Sequence, residues 1–98
     1  MANPGTAPLF ENEWVRVWEI VLEPGERLDF HQHALPYCFV VIEPSQMRGT
    51  NLAGQVVESD QKPGDVVFRE PGEIHDLVNV GTTRYVNRVI EWKKPAAS

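Results

Sequence analysis

Apolar residues occur along this chain in short runs that prolines and glycines interrupt. The runs are rich in β-branched and aromatic residues, and pairs such as Pro24-Gly25 and Pro71-Gly72 separate them. They cover residues 14–22, 37–42, 55–58, 65–68, 74–80 and 84–92. Short runs of this kind between Pro/Gly turns are typical of β-strands, and no apolar stripe with helical spacing is visible. The pattern predicts an all-β sandwich or barrel of about seven to nine strands, with little or no helix.

The two ends of the chain differ in composition from the part that carries the runs. Residues 1–8 contain two prolines, a glycine and small polar residues, and we expect a flexible lead-in there. Residues 94–98 are similar, so we expect a flexible tail. A chain of 98 residues can bury one core, so residues 9–93 are predicted to form a single domain.

Charge and composition make several partners improbable. The formal net charge of -5 disfavours binding to a phosphate backbone, and no apolar run approaches the ~20 residues of a membrane span. The N-terminus lacks the pattern of a secretory signal, and Cys38 is the only cysteine. We therefore expect a cytoplasmic protein whose partner is a small molecule.

Three histidines are the candidates for chemistry. His31 and His33 are two residues apart, which in an extended strand places both side chains on one face about 7 Å apart. His75 is the remaining histidine and must come from a distant strand. Neutral imidazoles suit transition metals, and a site with few protein ligands leaves positions open for substrate. The alternative is that the histidines are ordinary surface or partly buried residues.

The residues around these histidines resemble the two motifs of the cupin superfamily. The first motif is G-x5-H-x-H-x3or4-E-x6-G, and here Gly25 precedes His31-Gln32-His33 by five residues. The second is G-x5-P-x-G-x2-H-x3-N. Its matches are Gly64, Gly72, His75 and Asn79, and Glu70 stands in the proline position. Within the superfamily, Val-Arg-Val-Trp-Glu and Leu-Glu-Pro-Gly-Glu are similar to small single-domain cupins labelled beta-alanine degradation proteins.

This resemblance implies a double-stranded β-helix, or jelly-roll barrel, with a metal inside. It implies that His31, His33 and His75 bind one divalent ion, with iron as the first expectation and zinc, manganese, nickel or copper after it. Cys38 stands where the family has a glutamate ligand. Its thiolate is a possible fourth ligand, and the alternative is that it fills the core as a small hydrophobe.

A three-histidine site favours a metalloenzyme that acts on a small organic substrate, carboxylates included. Because three-histidine cupins include thiol and diketone dioxygenases, the resemblance implies dioxygenase-type chemistry first, with lyase or isomerase chemistry next. The alternatives are a non-catalytic binding or sensor cupin and a structural dimer with a vestigial site. No catalytic acid or base can be assigned.

Candidates for substrate contacts lie near the first motif. Among Arg48, Arg69 and Arg88, Arg48 is preferred because it follows the first motif closely, and Tyr37 is a second candidate. Asn79 is a candidate for orienting a ligand or a histidine, or else for capping the turn before Gly81.

The first strand predicts self-association. Trp14 and Trp18 are four residues apart and should share one face, while Val15, Val17 and Val21 occupy the other. One face can fill the core, and the other needs a cover that no helix of the chain supplies. We therefore expect a homodimer with an interface that includes the segment from Trp14 to Leu22.

Overall fold

A computed structural model describes residues 1–93, and the predicted tail at 94–98 lies outside this range. Within residues 1–93 the secondary structure consists of strands, without helix. The nine strands are β1 (Ala7–Glu11), β2 (Val15–Leu22), β3 (Arg27–Gln32), β4 (Tyr37–Glu43), β5 (Gln46–Thr50), β6 (Val56–Asp60), β7 (Val66–Arg69), β8 (Ile74–Asn79) and β9 (Tyr85–Trp92). Residues 1–93 hold no helix long and apolar enough to cross a membrane.

The strands form two antiparallel sheets packed face to face. One sheet has the order β1-β2-β9-β4-β7, and the other has the order β3-β8-β5-β6. Five of the seven strand pairings join strands that are not consecutive in sequence, and the exceptions are β1 with β2 and β5 with β6. This architecture is the predicted all-β jelly roll, and the prediction of about seven to nine strands is confirmed.

Pro-Gly turns precede the strands that carry the histidines. Gly25 and Gly72 adopt φ values of 86° and 112°, a region that side chains with a Cβ rarely occupy. The turns therefore reverse the chain without strain directly before β3 and β8. Their positions agree with the boundaries that the sequence predicts.

The core lies between the sheets and follows the alternation of the strands. On β2, Trp18, Ile20 and Leu22 are buried against the opposite sheet, which contributes Met47. Trp14 precedes β2 and is 56% exposed, whereas Trp18 is 8% exposed. Of the two tryptophans expected to share one face, Trp18 is therefore part of the core, whereas Trp14 lies before the first residue of the strand.

The first eight residues differ from the predicted flexible lead-in. Strand β1 begins at Ala7, inside that segment, and Ala2 forms a bridge to His31. The amide of Thr6 donates a hydrogen bond to the carbonyl of Glu19 at 2.7 Å. Gly5 is buried, and a Cβ there would lie 2.5 Å from the Cβ of Trp18. The segment's small residues thus serve close packing against β2, a role that composition does not reveal.

Candidate metal centre

Antiparallel pairing of β3 with β8 brings the two histidine motifs together. The Cα atoms of His31 and His75 are direct partners in this ladder. His33 follows the end of β3, and its amide donates to the carbonyl of Glu73 at 3.1 Å. The amide of Gly72 in turn donates to the carbonyl of His33 at 2.8 Å. These two bonds hold the backbone of His33 in place beyond the last residue of the strand.

The three imidazoles form one compact cluster. The ring centroid of His31 lies 4.8 Å from that of His33 and 4.7 Å from that of His75, and the third separation is 5.1 Å. One nitrogen of each ring lies within 4.8 Å of the others. His31 and His33 are buried, and His75 is half-buried. The cluster predicted from sequence spacing is therefore formed.

Neighbouring groups orient the rings. Nδ1 of His31 lies 2.9 Å from the carbonyl oxygen of Asp29, which can only accept a hydrogen bond. Nδ1 of His75 lies 2.7 Å from a carboxylate oxygen of Glu73. Both rings thus donate from Nδ1 and keep the lone pair of Nε2 for a ligand. His33 stacks on Tyr37 with centroids 3.8 Å apart, and its buried Nδ1 has no hydrogen-bond partner.

Burial keeps two of the imidazoles neutral. The pKa of His33 is lowered to about 3, mainly by desolvation and in smaller part by the neighbouring His31 and His75. Desolvation also lowers the pKa of His31, against a smaller opposing effect of its hydrogen bond to Asp29. Neutral imidazole is the form that binds metals. The donor set, its closeness and its lone pairs therefore fit one divalent transition metal.

Comparison with solved structures identifies the fold. A cupin domain from Bordetella pertussis is 29% identical, with a TM-score of 0.82 over 96% of this chain and 99% of that one. The chain folds as a cupin domain. A conserved Klebsiella pneumoniae protein with a double-stranded beta-helix domain shares 20% identity, with a TM-score of 0.71 over 98% of this chain and 86% of that one. A cupin-family protein from Methanocaldococcus jannaschii shares 21% identity, with a TM-score of 0.69 over 88% of this chain and 76% of that one.

No protein-family profile matches the cupin sequence, and no curated protein matches it significantly. The recognition of the fold thus depends on structure and on the two sequence motifs. The narrower similarity to cupins labelled beta-alanine degradation proteins stays a prediction.

Cys38 lies on the side of β4 that faces away from the histidines. Its neighbour Tyr37 stacks on His33, and successive side chains of a strand point to opposite faces. Within residues 1–93 the cluster of possible metal-binding groups around the histidines does not include Cys38. Burial raises the pKa of its thiol, which keeps it protonated. The placement favours the interpretation of Cys38 as a small buried hydrophobe over that of a fourth ligand.

Replacing Cys38 by valine is therefore expected to leave metal binding unchanged. The substitution roughly conserves volume and removes no group that faces the histidines. Elemental analysis of the purified variant should give the wild-type metal content per chain. A loss of more than about tenfold in metal affinity, the size of effect typical of a lost supporting group, would show that the thiol acts on the metal.

A two-chambered cavity leads to the histidines of this cupin. The inner chamber, of about 60 Å³, is lined by the three histidines together with Tyr85 and Asn87. The outer chamber, of about 240 Å³, is lined by polar residues such as Arg69 and Glu73 and by apolar residues such as Val57. The chambers adjoin each other, because they share the lining residues Tyr37, Phe39, Gln61, His75 and Leu77. The cavity is large enough for a small organic molecule and too small for a polymer.

The two residues predicted to contact substrate have different locations. Tyr37 lines both chambers, as expected for a substrate contact. Arg48 lies on β5 between Met47, which is buried in the core, and Gly49, which lines the outer chamber. It therefore points away from the cavity, and its guanidinium pairs with Glu58 at 3.1 Å. Proximity to the first motif in sequence is no guide here, because strand alternation turns the side chain outward.

Arg69 occupies the place for which Arg48 is predicted. It is the Cα partner of Tyr37 in the ladder of β4 with β7, and directly opposite residues share one face of a sheet. Arg69 lines the outer chamber together with Tyr37 and His75. The sequence shows that Arg69 ends a strand, but the pairing partner that directs it into the cavity is visible only in the fold.

Proposed function

We propose that this cupin binds one divalent transition metal through His31, His33 and His75 and converts a small organic molecule in the adjoining cavity. The observation that carries this proposal is the position of the cluster. Three imidazole nitrogens within 4.8 Å of one another line the inner chamber, and a wider chamber lined by both polar and apolar residues adjoins it. An inert structural metal would need no cavity of this kind beside it.

From the resemblance to three-histidine cupin dioxygenases we infer oxidation by dioxygen at iron as the first candidate reaction, with lyase or isomerase chemistry second. Three neutral ligands leave a bound ion its full double charge and open positions, so it supplies Lewis acidity or, as iron, redox chemistry. Phe39 and Leu77 provide apolar walls for the substrate. Burial raises the pKa of Tyr37, so its hydroxyl stays protonated and can donate a hydrogen bond to substrate.

Metal analysis and oxygen uptake together test this proposal. The protein is purified without a chelating column, and its metal content is measured per chain. We expect close to one equivalent. The iron-loaded protein is then screened in an oxygen electrode with small carboxylates, thiols and diketones. Oxygen uptake that requires both iron and His33 supports the proposal, and protein that takes up no metal contradicts it.

A non-catalytic binding or sensor function is the second candidate. The observation that favours it is the departure at Cys38, which leaves the site without the acidic ligand of the first cupin motif. Such a protein would bind small molecules in the cavity and return them unchanged. Recovery of every bound compound intact, from protein with a full complement of metal, would favour this alternative.

We also propose that the protein is a homodimer. A row of apolar side chains crosses the outer face of the five-stranded sheet, with one residue from each strand in direct register. The row consists of Phe10, Val17, Ile90, Cys38 and Phe68. Its end members Phe10 and Phe68 are more than half exposed. Glu19 and Arg88 on the same face already pair with each other at 3.0 Å, so the face suits an apolar partner such as a second copy.

Light scattering of the wild-type protein at micromolar concentration should give twice the chain mass. Val17→Glu, within the predicted Trp14–Leu22 interface, is expected to give a monomer because it places a charge in the centre of the row. Leu52→Glu is the matched control, since Leu52 is exposed in a turn outside this face. A monomeric wild-type protein, or a Val17→Glu protein that remains dimeric, would contradict the proposal.

A further inference from the structure

Arg69 differs from the other arginines of the chain in its pairing. Five of the six arginines form ion pairs with carboxylates, and these are Arg16 with Glu91, Arg27 with Asp29 and Asp76, Arg48 with Glu58, Arg84 with Glu43, and Arg88 with Glu19. Arg69 pairs with no carboxylate of residues 1–93. Its Nη1 donates only to the carbonyl of the neighbouring Phe68, at 3.3 Å. An unmatched guanidinium therefore lines the outer chamber.

The acidic residues of the outer chamber have other partners. Glu73 accepts the hydrogen bond from Nδ1 of His75, and Asp76 pairs with Arg27 at 2.8 Å. Asp76 also accepts a hydrogen bond from the amide of Thr50. Neither carboxylate forms an ion pair with Arg69. A guanidinium in this position is suited to a carboxylate from outside the chain, which it can hold through two parallel hydrogen bonds.

Asn87 presents an unused acceptor at the inner end of the cavity. Its side chain is 3% exposed, and its Nδ2 donates to the hydroxyl of Tyr85 at 2.8 Å. That hydroxyl in turn donates to Oε1 of Gln61 at 3.0 Å, which fixes the orientation of the amide. Oδ1 of Asn87 is buried and has no hydrogen-bond partner. Buried acceptors are nearly always paired, so this oxygen is suited to a donor group of a ligand next to the histidines.

We propose that the cavity binds a small carboxylate that also carries a hydroxyl or amino group. The carboxylate pairs with Arg69 in the outer chamber, and the hydroxyl or amino group donates to Oδ1 of Asn87 in the inner chamber. This inference names the substrate class of the proposed metalloenzyme and so rests on that function. It makes Arg69 and Asn87 the residues that select the substrate by its two ends.

Binding of model compounds to the zinc-loaded protein tests the inference without any turnover. Lactate is compared with propanoate, which lacks the hydroxyl. The longer gamma-hydroxybutyrate is compared with butyrate in the same way. Butanediol serves as the analogue without a carboxylate. Titration calorimetry or NMR gives the affinities. We expect at least one hydroxy acid to bind about tenfold more tightly, or better, than its deoxy analogue and than butanediol. The deoxy analogue lacks the contact with Asn87, and butanediol lacks the contact with Arg69.

Two variants assign this preference to the two residues. Arg69→Met should weaken the hydroxy acid and its deoxy analogue alike by about tenfold or more, because it removes the charge that both use. Asn87→Leu should lower the affinity of the hydroxy acid to that of the analogue and leave the analogue within about twofold. Arg48→Met is the matched control, since Arg48 points away from the cavity, and its affinities should equal those of the wild type.

Three results would overturn the inference. These are failure of both hydroxy acids to bind at about 10 mM, equal binding of butanediol, and an Arg69→Met protein with wild-type affinity. If Asn87→Leu fails to fold, the role of Asn87 is tested on the wild-type protein alone. Equal affinities of the wild type for the hydroxy acid and its deoxy analogue then reject that role. Metal content is measured on the same samples. Full metal with no preference among the compounds rejects this inference alone, whereas absence of metal rejects the proposed function.

Discussion

Replacing His33 by alanine is expected to abolish stoichiometric metal binding while the chain remains folded. His33 supplies one of only three nitrogens that converge in the cluster, and the two remaining histidines form no closed set around an ion. We expect a loss in affinity of at least about 100-fold, at or beyond the upper end of what loss of a supporting group causes. The fold should persist because the apolar core between the two sheets does not depend on this side chain.

Elemental analysis and thermal unfolding with and without metal are the two measurements. A ligand that binds only the native state raises its stability, so metal should raise the melting temperature of the wild type and leave that of His33→Ala unchanged. Gln32→Ala is the matched control, because Gln32 is the exposed neighbour of His33. A His33→Ala protein that retains one metal per chain would refute the three-histidine site.

The parts of the fold that are visible in the sequence are those with strong local signals. The buried strands β2, β4 and β9 coincide with long apolar runs, and Pro-Gly pairs mark the turns before the histidines. Strand β5, Gln-Met-Arg-Gly-Thr, contains one large apolar residue, Met47, and matches no apolar run. It is extended because both of its neighbours, β6 and β8, provide hydrogen-bonding partners. Such a strand is determined by tertiary pairing and leaves little trace in a local pattern.

The residues of the candidate site likewise divide into those that a local sequence pattern predicts and those that depend on strand pairing. His31, His33 and His75 are predictable because two short motifs fix their spacing, and one ladder joins the motifs. Arg69 is considered but not preferred, and Asn87 is not considered, because each faces the cavity through the register of its strand with β4. That register depends on which strands pair, which the spacing of residues along the chain does not encode.

Replacing Asn79 by alanine is expected to cost about 3–5 kcal/mol of unfolding free energy, since it removes four hydrogen bonds at once, two of them buried and two part-buried. The side chain is fully buried. Its Nδ2 donates to the carbonyls of Leu22 and Thr83, both at 2.8 Å. Its Oδ1 accepts from Ser45 Oγ and the Gly81 amide, both at 2.9 Å. The contact with Gly81 is the predicted turn cap, and the bond to Thr83 lies in the same turn. The bonds to Leu22 and Ser45 join segments that are far apart in sequence.

Urea denaturation of Asn79→Ala measures this loss in unfolding free energy. The loss is a large part of the about 5–15 kcal/mol that is typical of a domain.

Asn12→Ala is the matched control. Oδ1 of Asn12 accepts hydrogen bonds from the amides of Trp14 and Val15 at 2.8 and 2.9 Å, but these bonds are exposed. Water can replace the lost oxygen at Asn12, so the control should lose about 1 kcal/mol. Equal losses in the two variants would show that the buried position of Asn79 adds nothing to its hydrogen bonds. A folded Asn79→Ala protein with greatly reduced metal content would instead assign Asn79 to the orientation of the histidines.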